Sequence, residues 1–238
     1  MKTTSIPSLW TRAGVLAVTL FGLGLAASAG PITYTDDFNR ANAEDLGSNW
    51  YVNPVNTHEF VIRSNQATME PPVTGFGNYM TYYSAVGTGS GAFSVQADVN
   101  TAGNEWIGLV FNAQNASNYS FVRWCNAGKD NNNLQAFTTV NGSWSTNQLF
   151  THANTSPIGG LSTISVASDG AGNYTLTIGS DSWNWTNATF TGGFGGLYYD
   201  DPHGEGSVIY DNFALTVPEP ASLGLLALGG FALLRRRR

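Results

Sequence analysis

Between Pro31 and Thr216 apolar and polar residues alternate in short runs, and no stretch holds the period of an amphipathic helix. Phe93, Val95, Ala97 and Val99 interleave with Ser94, Gln96, Asp98 and Asn100, which puts the apolar set on one face of a strand. Tyr174, Leu176 and Ile178 alternate with Thr175 and Thr177 in the same way, behind the turn Asp169-Gly170-Ala171-Gly172-Asn173. Glu105 to Asn112 is apolar at both parities, the pattern of a central strand covered on both sides. Further strands are predicted near 33–38, 58–63, 78–84, 118–125, 133–140, 146–151, 161–168, 193–199 and 207–216. Strands recurring roughly every ten residues between Gly-, Asn- and Asp-rich turns predict an all-β sandwich or barrel. The segments are too unlike to be repeats and no Pro/Ser linker divides them, so residues 30–216 read as one domain.

The pattern breaks at both ends. In residues 1–29, Lys2 and Arg12 flank the apolar run Ala13 to Leu25, and Ala27-Ser28-Ala29 offers small residues at a cleavage site after Ala29, the layout of a secretory signal peptide. A first core helix would not be apolar all round and would not meet Gly30-Pro31 at once. At the other end, Pro218-Glu219-Pro220 follows Val217. A Gly/Leu/Ala-rich run from Ala221 to Leu234 comes next, and Arg235, Arg236, Arg237 and Arg238 close the chain. As a helix that run would span about 21 Å, short of a hydrocarbon core of about 30 Å. Four arginines would hold the terminus on the cytoplasmic side, leaving the two prolines in an extended segment just outside the bilayer.

Those three parts in order, residues 217–238, closely resemble the PEP-CTERM sorting signal of Gram-negative bacteria. The resemblance implies Sec export, transient anchoring in the inner membrane, handling by an exosortase, and delivery to the cell surface or to an exopolysaccharide or biofilm matrix.

Composition sharpens this picture. Only 11% of residues are charged and the formal charge is −6, but the basic residues lie mostly at the ends. From Gly30 to Val217 there are four basic residues (Arg40, Arg63, Arg123 and Lys129) against fifteen acids, a net −11. Such a surface repels phosphate backbones and excludes nucleic acid as a partner. The single Cys125 cannot form an intramolecular disulfide or a Cys-rich zinc site, and it reads as a small buried hydrophobe.

The domain also resembles the concanavalin A/laminin-G-like jelly rolls. The resemblance is carried by Asp36-Asp37-Phe38-Asn39-Arg40 and Leu46-Gly47-Ser48-Asn49-Trp50 near the start, and by Gly195-Gly196-Leu197-Tyr198-Tyr199 and Val208-Ile209-Tyr210-Asp211-Asn212-Phe213 near the end. It implies a jelly-roll β-sandwich whose first and last strands lie side by side, with a structural calcium near them. By strict alternation Asp211 shares a face with Ile209, Phe213 and Leu215, so a carboxylate interrupts an apolar row and needs a partner. The resemblance makes Asp37 and Asp211 candidate calcium ligands. The alternative is that Asp211 is hydrogen-bonded to backbone or to Arg40. Asp200-Asp201-Pro202-His203-Gly204-Glu205-Gly206 reads as a solvated turn, since its spacing is not that of an EF-hand.

No catalytic residues are nominated. Jelly-roll glycosidases commonly carry Glu-x-Asp-x-Glu, and none of Glu44, Glu59, Glu70, Glu105 and Glu205 is followed two residues later by an acid. Gly-x-Ser-x-Gly is absent, and His58, His152 and His203 are scattered. Glycan binding is easier to accommodate, because sugars stack on aromatic faces among amide side chains. Trp144, Trp183 and Trp185 are the candidates, while Trp106 and Trp124 read as core. The expectation is a non-enzymatic, exported, structural or glycan-interacting surface protein with extracellular polysaccharide as a partner. A glycan-active enzyme and a protein-binding adhesin are the alternatives.

Overall fold

The computed structural model describes residues 30–52, 59–70, 78–101, 106–125, 133–145, 150–153, 161–200 and 208–219. The described residues form strands and turns without a helix. The strands are β1 (Ile32–Asp36), β2 (Glu59–Arg63), β3 (Gln66–Glu70), β4 (Asn78–Tyr82), β5 (Phe93–Thr101), β6 (Trp106–Asn115), β7 (Asn118–Cys125) and β8 (Asn133–Val140). They continue as β9 (Ser143–Trp144), β10 (Phe150–Ala153), β11 (Ser162–Ser168), β12 (Asn173–Ile178), β13 (Asp181–Thr186), β14 (Phe194–Asp200) and β15 (Val208–Val217).

Two antiparallel sheets result. The first runs β13-β12-β11-β5-β15-β3-β2, with β1 also on β15, and the second runs β10-β8-β7-β6-β14-β4, with β9 on β8. Ile107, Leu109 and Phe111 of β6, with Val122 and Trp124 of β7, face Val95, Ala97 and Val99 of β5 and Ile164 and Val166 of β11 in one core between the sheets. Each of the Val, Leu, Ile and Phe side chains among them contributes about 1.5–3 kcal/mol by leaving water. Tyr210 ties the layers together: its hydroxyl donates to the Tyr198 carbonyl and accepts from the Gly108 N–H at 3.4 Å. Burial pushes that hydroxyl's pKa well up, so it stays protonated.

Most predicted strands form, and three elements were not read from the sequence. β3 follows β2 through Ser64-Asn65, both at positive φ (53° and 63°), a two-residue turn without glycine that does not signal itself. β9 folds back on β8 through Asn141-Gly142, also at positive φ, before the strand expected at 146–151 begins as β10 at Phe150. β13 pairs with β12 across Gly179-Ser180.

The alternation assumed for the last strand does not hold. In β15 the buried residues are Val208 and Tyr210, then Phe213, Leu215 and Val217. Asp211 pairs with Asp98 and Ala214 with Gln96, so β15 carries one residue more than β5 over this stretch. Asn212, at φ 49°, is left-handed within this bulge and flips the parity of everything before it. Asp211 therefore lies on the solvent side with Ile209 and does not interrupt the core row. A second bulge, at Asn112 (φ 51°), bends β6 against β7 and β14.

Candidate functional site

Because Ile107, Leu109 and Phe111 enter the inter-sheet core, Trp106, Gly108 and Val110 must point to the opposite, outer face of the second sheet. Register extends that face: Cys125, Arg123 and Phe121 lie opposite Trp106, Gly108 and Val110, and Gln135 and Phe137 lie opposite Arg123 and Phe121. On the other side, Asp200 and Tyr198 lie opposite Trp106 and Gly108. Met80, Tyr82, Val110, Tyr119, Phe121, Phe137 and Tyr198 form a second apolar cluster there, flanked by half-buried Tyr51, Trp144 and Phe194.

Arg123 is the centre of this face. Its guanidinium carbon lies 4.0 Å from the Trp106 ring, 4.8 Å from Trp144 and 5.1 Å from Phe137. Its Nη1 donates to Asp200 Oδ2 at 2.7 Å and its Nε to Gln135 Oε1 at 2.8 Å. Both charged side chains are only 11% exposed. Three π-faces and a carboxylate thus hold one desolvated cation, and each cation–π contact at such a site is worth up to about 2 kcal/mol. Gly108, cross-strand from Arg123, is obligatory: a Cβ there would sit 1.9 Å from the Val122 carbonyl oxygen. The rings stack outward from this centre, with Phe121 on Tyr198 at 4.2 Å, Trp144 beside Phe137 at 5.1 Å and Tyr82 on Phe194 at 5.0 Å.

The structure separates the three candidate tryptophans. Trp144 is half-buried on this outer face. Trp183 and Trp185 share one face of β13, as their spacing implies, but that face is the inner one. Trp185 is 7% exposed and stacks on Tyr174 at 5.3 Å, and Trp183 packs against the same core. Trp124 is in the inter-sheet core, while Trp106 is buried on the outer face. Asp200 is not part of a solvated turn: it ends β14 and is held by Arg123, while residues 201–207 lie outside the described residues. The Arg123–Asp200 contact spans 77 positions in the chain, and its only trace in the sequence is a charged residue set in the apolar row of β7.

Asp37 and Asp211 do come together. They line one pocket with Asn39, Ser64, Asn65, Gln66 and Asn212. Asp37 Oδ1 accepts the Asn39 N–H at 3.0 Å, Asp211 Oδ1 accepts the Asn212 N–H at 2.8 Å, and Gln66 Nε2 approaches Asp211 Oδ2 at 3.4 Å. The side-chain donors are oxygens and amides, which suits calcium. Among the described residues, however, no three acidic, histidine or cysteine side chains converge. Arg40 is not the partner of Asp211; it forks onto Asp36 at 2.6 and 3.1 Å. Asn187 is buried, its amide donating to Thr138 and Ser120. Ala27, Ala29, Pro220, Arg235, Arg236, Arg237 and Arg238 lie outside the described residues, as do His58 and His203.

Residues 216–238 match the PEP-CTERM protein-sorting motif, which implies an exported protein sorted to the cell surface. No curated protein matches the chain. Among solved structures, the chain is similar to a Bacillus subtilis protein of unknown function with a galectin-like fold (11% identity, TM-score 0.56, covering 81% of this chain and 99% of that one). It is similar to the CBM2 module of the evolved Dit of Lactobacillus casei BL23 phage J-1 (10% identity, TM-score 0.54, 81% and 99%). It is also similar to part of the GH43 BlXynB protein of Bacillus licheniformis (12% identity, TM-score 0.54, 76% of this chain and 38% of that one). The fold is thus a galectin- or concanavalin-like jelly roll.

Proposed function

We propose that this chain is a non-enzymatic component of the extracellular polysaccharide matrix of a Gram-negative bacterium. Sec exports it, signal peptidase removes residues 1–29, and an exosortase processes its tail. It contacts glycan through the outer face of the second sheet, with Trp144 as the accessible ring and Arg123 behind it. Fold-level analogy to a CBM2 module supports this reading, and the site supports it independently.

The observation that carries it is the Arg123–Asp200 pair. A glycosidase needs two carboxylates about 5–9.5 Å apart, one of them free to trade protons. On this face Asp200 is locked to a guanidinium and fixes Arg123 among the rings. A half-buried indole backed by a neutralised cation offers a stacking surface to an uncharged sugar. Trp183 and Trp185, turned inward, stay with the core. Where β1, β3 and β15 meet in the first sheet, Asp37 and Asp211 would hold a structural calcium, with the amide side chains around them completing its shell.

The test is a glycan array probed with the exported protein beside its Trp144→Ala and Trp185→Phe variants. Binding by the native protein, weakened about ten-fold (about 1.4 kcal/mol) by Trp144→Ala and unchanged by Trp185→Phe, is the expected outcome. Absence of any bound glycan, or glycan turnover by the native protein, overturns the reading.

A further inference from the structure

The outer side of the first sheet carries a hollow of its own. Thr163, Ser165 and Ala167 of β11 alternate with the buried Ile164, Val166 and Ser168, so they face away from the core. Register lays Thr175 of β12 and Asn184 of β13 beside Ala167, in one row across three strands. With Asp169, Asn173 and Thr186 at its head, that row lines a hollow of about 490 Å³. Pockets that hold small organic ligands run from about 300 to 1,000 Å³. Tyr174 and Trp185 also border it, but their rings stack in the inter-sheet core and leave only main chain on this side.

The polar groups around the hollow are held in place by the fold. Asp169 Oδ1 accepts the Ala171 N–H at 2.7 Å and the Asn173 N–H at 3.1 Å, and its Oδ2 accepts from Asn173 Nδ2 at 2.6 Å. The Asn173 side-chain bond, helped by the two backbone N–H groups, holds the Asp169 pKa below its ordinary 3.8, so the group is an ionised acceptor at neutral pH. The turn that carries it is fixed by close backbone contact. A Cβ on Gly170 would come within 2.7 Å of the Gly91 main chain, and one on Gly172 within 3.0 Å of the Asn187 carbonyl oxygen. Thr175 Oγ1 donates to Asn184 Oδ1 at 2.7 Å, which leaves the Asn184 Nδ2 hydrogens as donors. Asp169 is without a cationic partner among the described residues, where Arg40, Arg63 and Arg123 are committed to Asp36, to Glu44 and Glu70, and to Asp200.

A carboxylate that only accepts and an amide that donates, set in one hollow, match a sugar hydroxyl, which does both. Resting on the glycan reading above, we propose that this hollow is a second glycan site, taking a short stretch of neutral sugar against Asp169 and Asn184, with Ala167 as its floor. The uncompensated carboxylate, on a body at −11, repels uronic acids. The hollow lies on the outer side of the first sheet and Trp144 on the outer side of the second, so the two look away from each other across the sandwich. One protein molecule therefore holds two glycan chains and cross-links the polymer around it.

The test is NMR titration of the isotope-labelled exported protein with cellotetraose, xylotetraose, maltotetraose and, as the anionic probe, tetragalacturonate. At least one neutral tetrasaccharide is expected to move the amides of Ala167, Thr175 and Asn184 as one set and the Trp144 indole N–H separately, each with its own Kd. Tetragalacturonate is expected to move neither. Asn184→Ala, and independently Ala167→Gln, which fills the floor, should weaken the first set about ten-fold and leave the Trp144 signal unchanged. Both positions are exposed, so the fold tolerates these changes. The polymer of the same sugar should turn cloudy with the native protein and stay clear with Ala167→Gln. Shifts at Trp144 alone, or first-set binding at native strength in both variants, overturn the second site and leave the glycan reading standing. Shifts in the first set alone uphold this site and overturn the role of Trp144. Binding of tetragalacturonate in the first set overturns the neutral-sugar assignment, a clear polymer solution with the native protein overturns the cross-linking, and no shift in either set overturns both glycan sites.

Discussion

Asp36 organises the entrance to the sandwich. Its two oxygens accept the Arg40 fork at 2.6 and 3.1 Å, the Trp50 indole N–H at 2.8 Å and the Phe38 N–H at 2.9 Å. Those bonds hold Phe38, fully buried, at a positive φ of 52° that a bulky residue does not adopt unaided. Burial by itself would raise the Asp36 pKa, but the hydrogen bonds from Arg40, Trp50 and Phe38 outweigh it and hold the group below its ordinary 3.8. The folded chain then binds fewer protons here than the unfolded chain. The stabilisation is present above about pH 4 and is lost as pH falls through the depressed value. Asp36→Ala strands Arg40 and the Trp50 N–H, and is expected to cost about 2–3 kcal/mol in urea melts at pH 7. At pH 2 the variant and the native protein should differ much less, and an equal gap at both pH values would contradict the role given to the ionised carboxylate.

At the scale of the element, β15 shows how one residue sets the face of a strand. Without the bulge, Phe213, Leu215 and Val217 would lie on the same face as Asp211; with it they enter the core. Asn is among the few non-glycine residues that tolerate the left-handed conformation, and Asn212 also donates to Asp98 Oδ2 at 2.9 Å. Asn212→Gly should change the melting temperature little. Asn212→Val should destabilise by about 1–2 kcal/mol, because a β-branched side chain resists that conformation. Deleting Asn212 removes the extra residue and restores strict alternation, with Tyr210, Phe213, Leu215 and Val217 on the core face and Asp211 outside, so a cooperative transition should persist, weakened by loss of the bond to Asp98. Loss of the cooperative transition in the deletion would show that the sheet needs the bulge itself and not only the alternation around it.

For the whole molecule, the charge distribution and the paired termini act together. The body at −11 depends on few cations, and the two most buried ion pairs among the described residues, Asp36–Arg40 and Arg123–Asp200, sit at the entrance of the first sheet and on the outer face of the second. A calcium held by Asp37 and Asp211 would relieve acidic repulsion beside β1 and β15. Differential scanning of the exported protein in millimolar calcium should then give a higher melting temperature than in chelator, with Asp211→Asn removing the difference. Equal melting in both media would leave the pocket to its own hydrogen bonds. The sequence was enough to identify an all-β sandwich, with its first and last strands inferred through a family resemblance, and to identify the sorting tail. Alternation along a strand and an apolar run ending in arginines are local patterns that need no fold to be read. The outer face was not legible, because Arg123 meets Asp200 only when β7 and β14 are laid on either side of β6. The orientation of Trp183 and Trp185 and the true face of Asp211 were also decided by the tertiary structure. Alternation says which residues share a face, but only the packing of two sheets, and a single left-handed asparagine, settles whether that face looks inward or out.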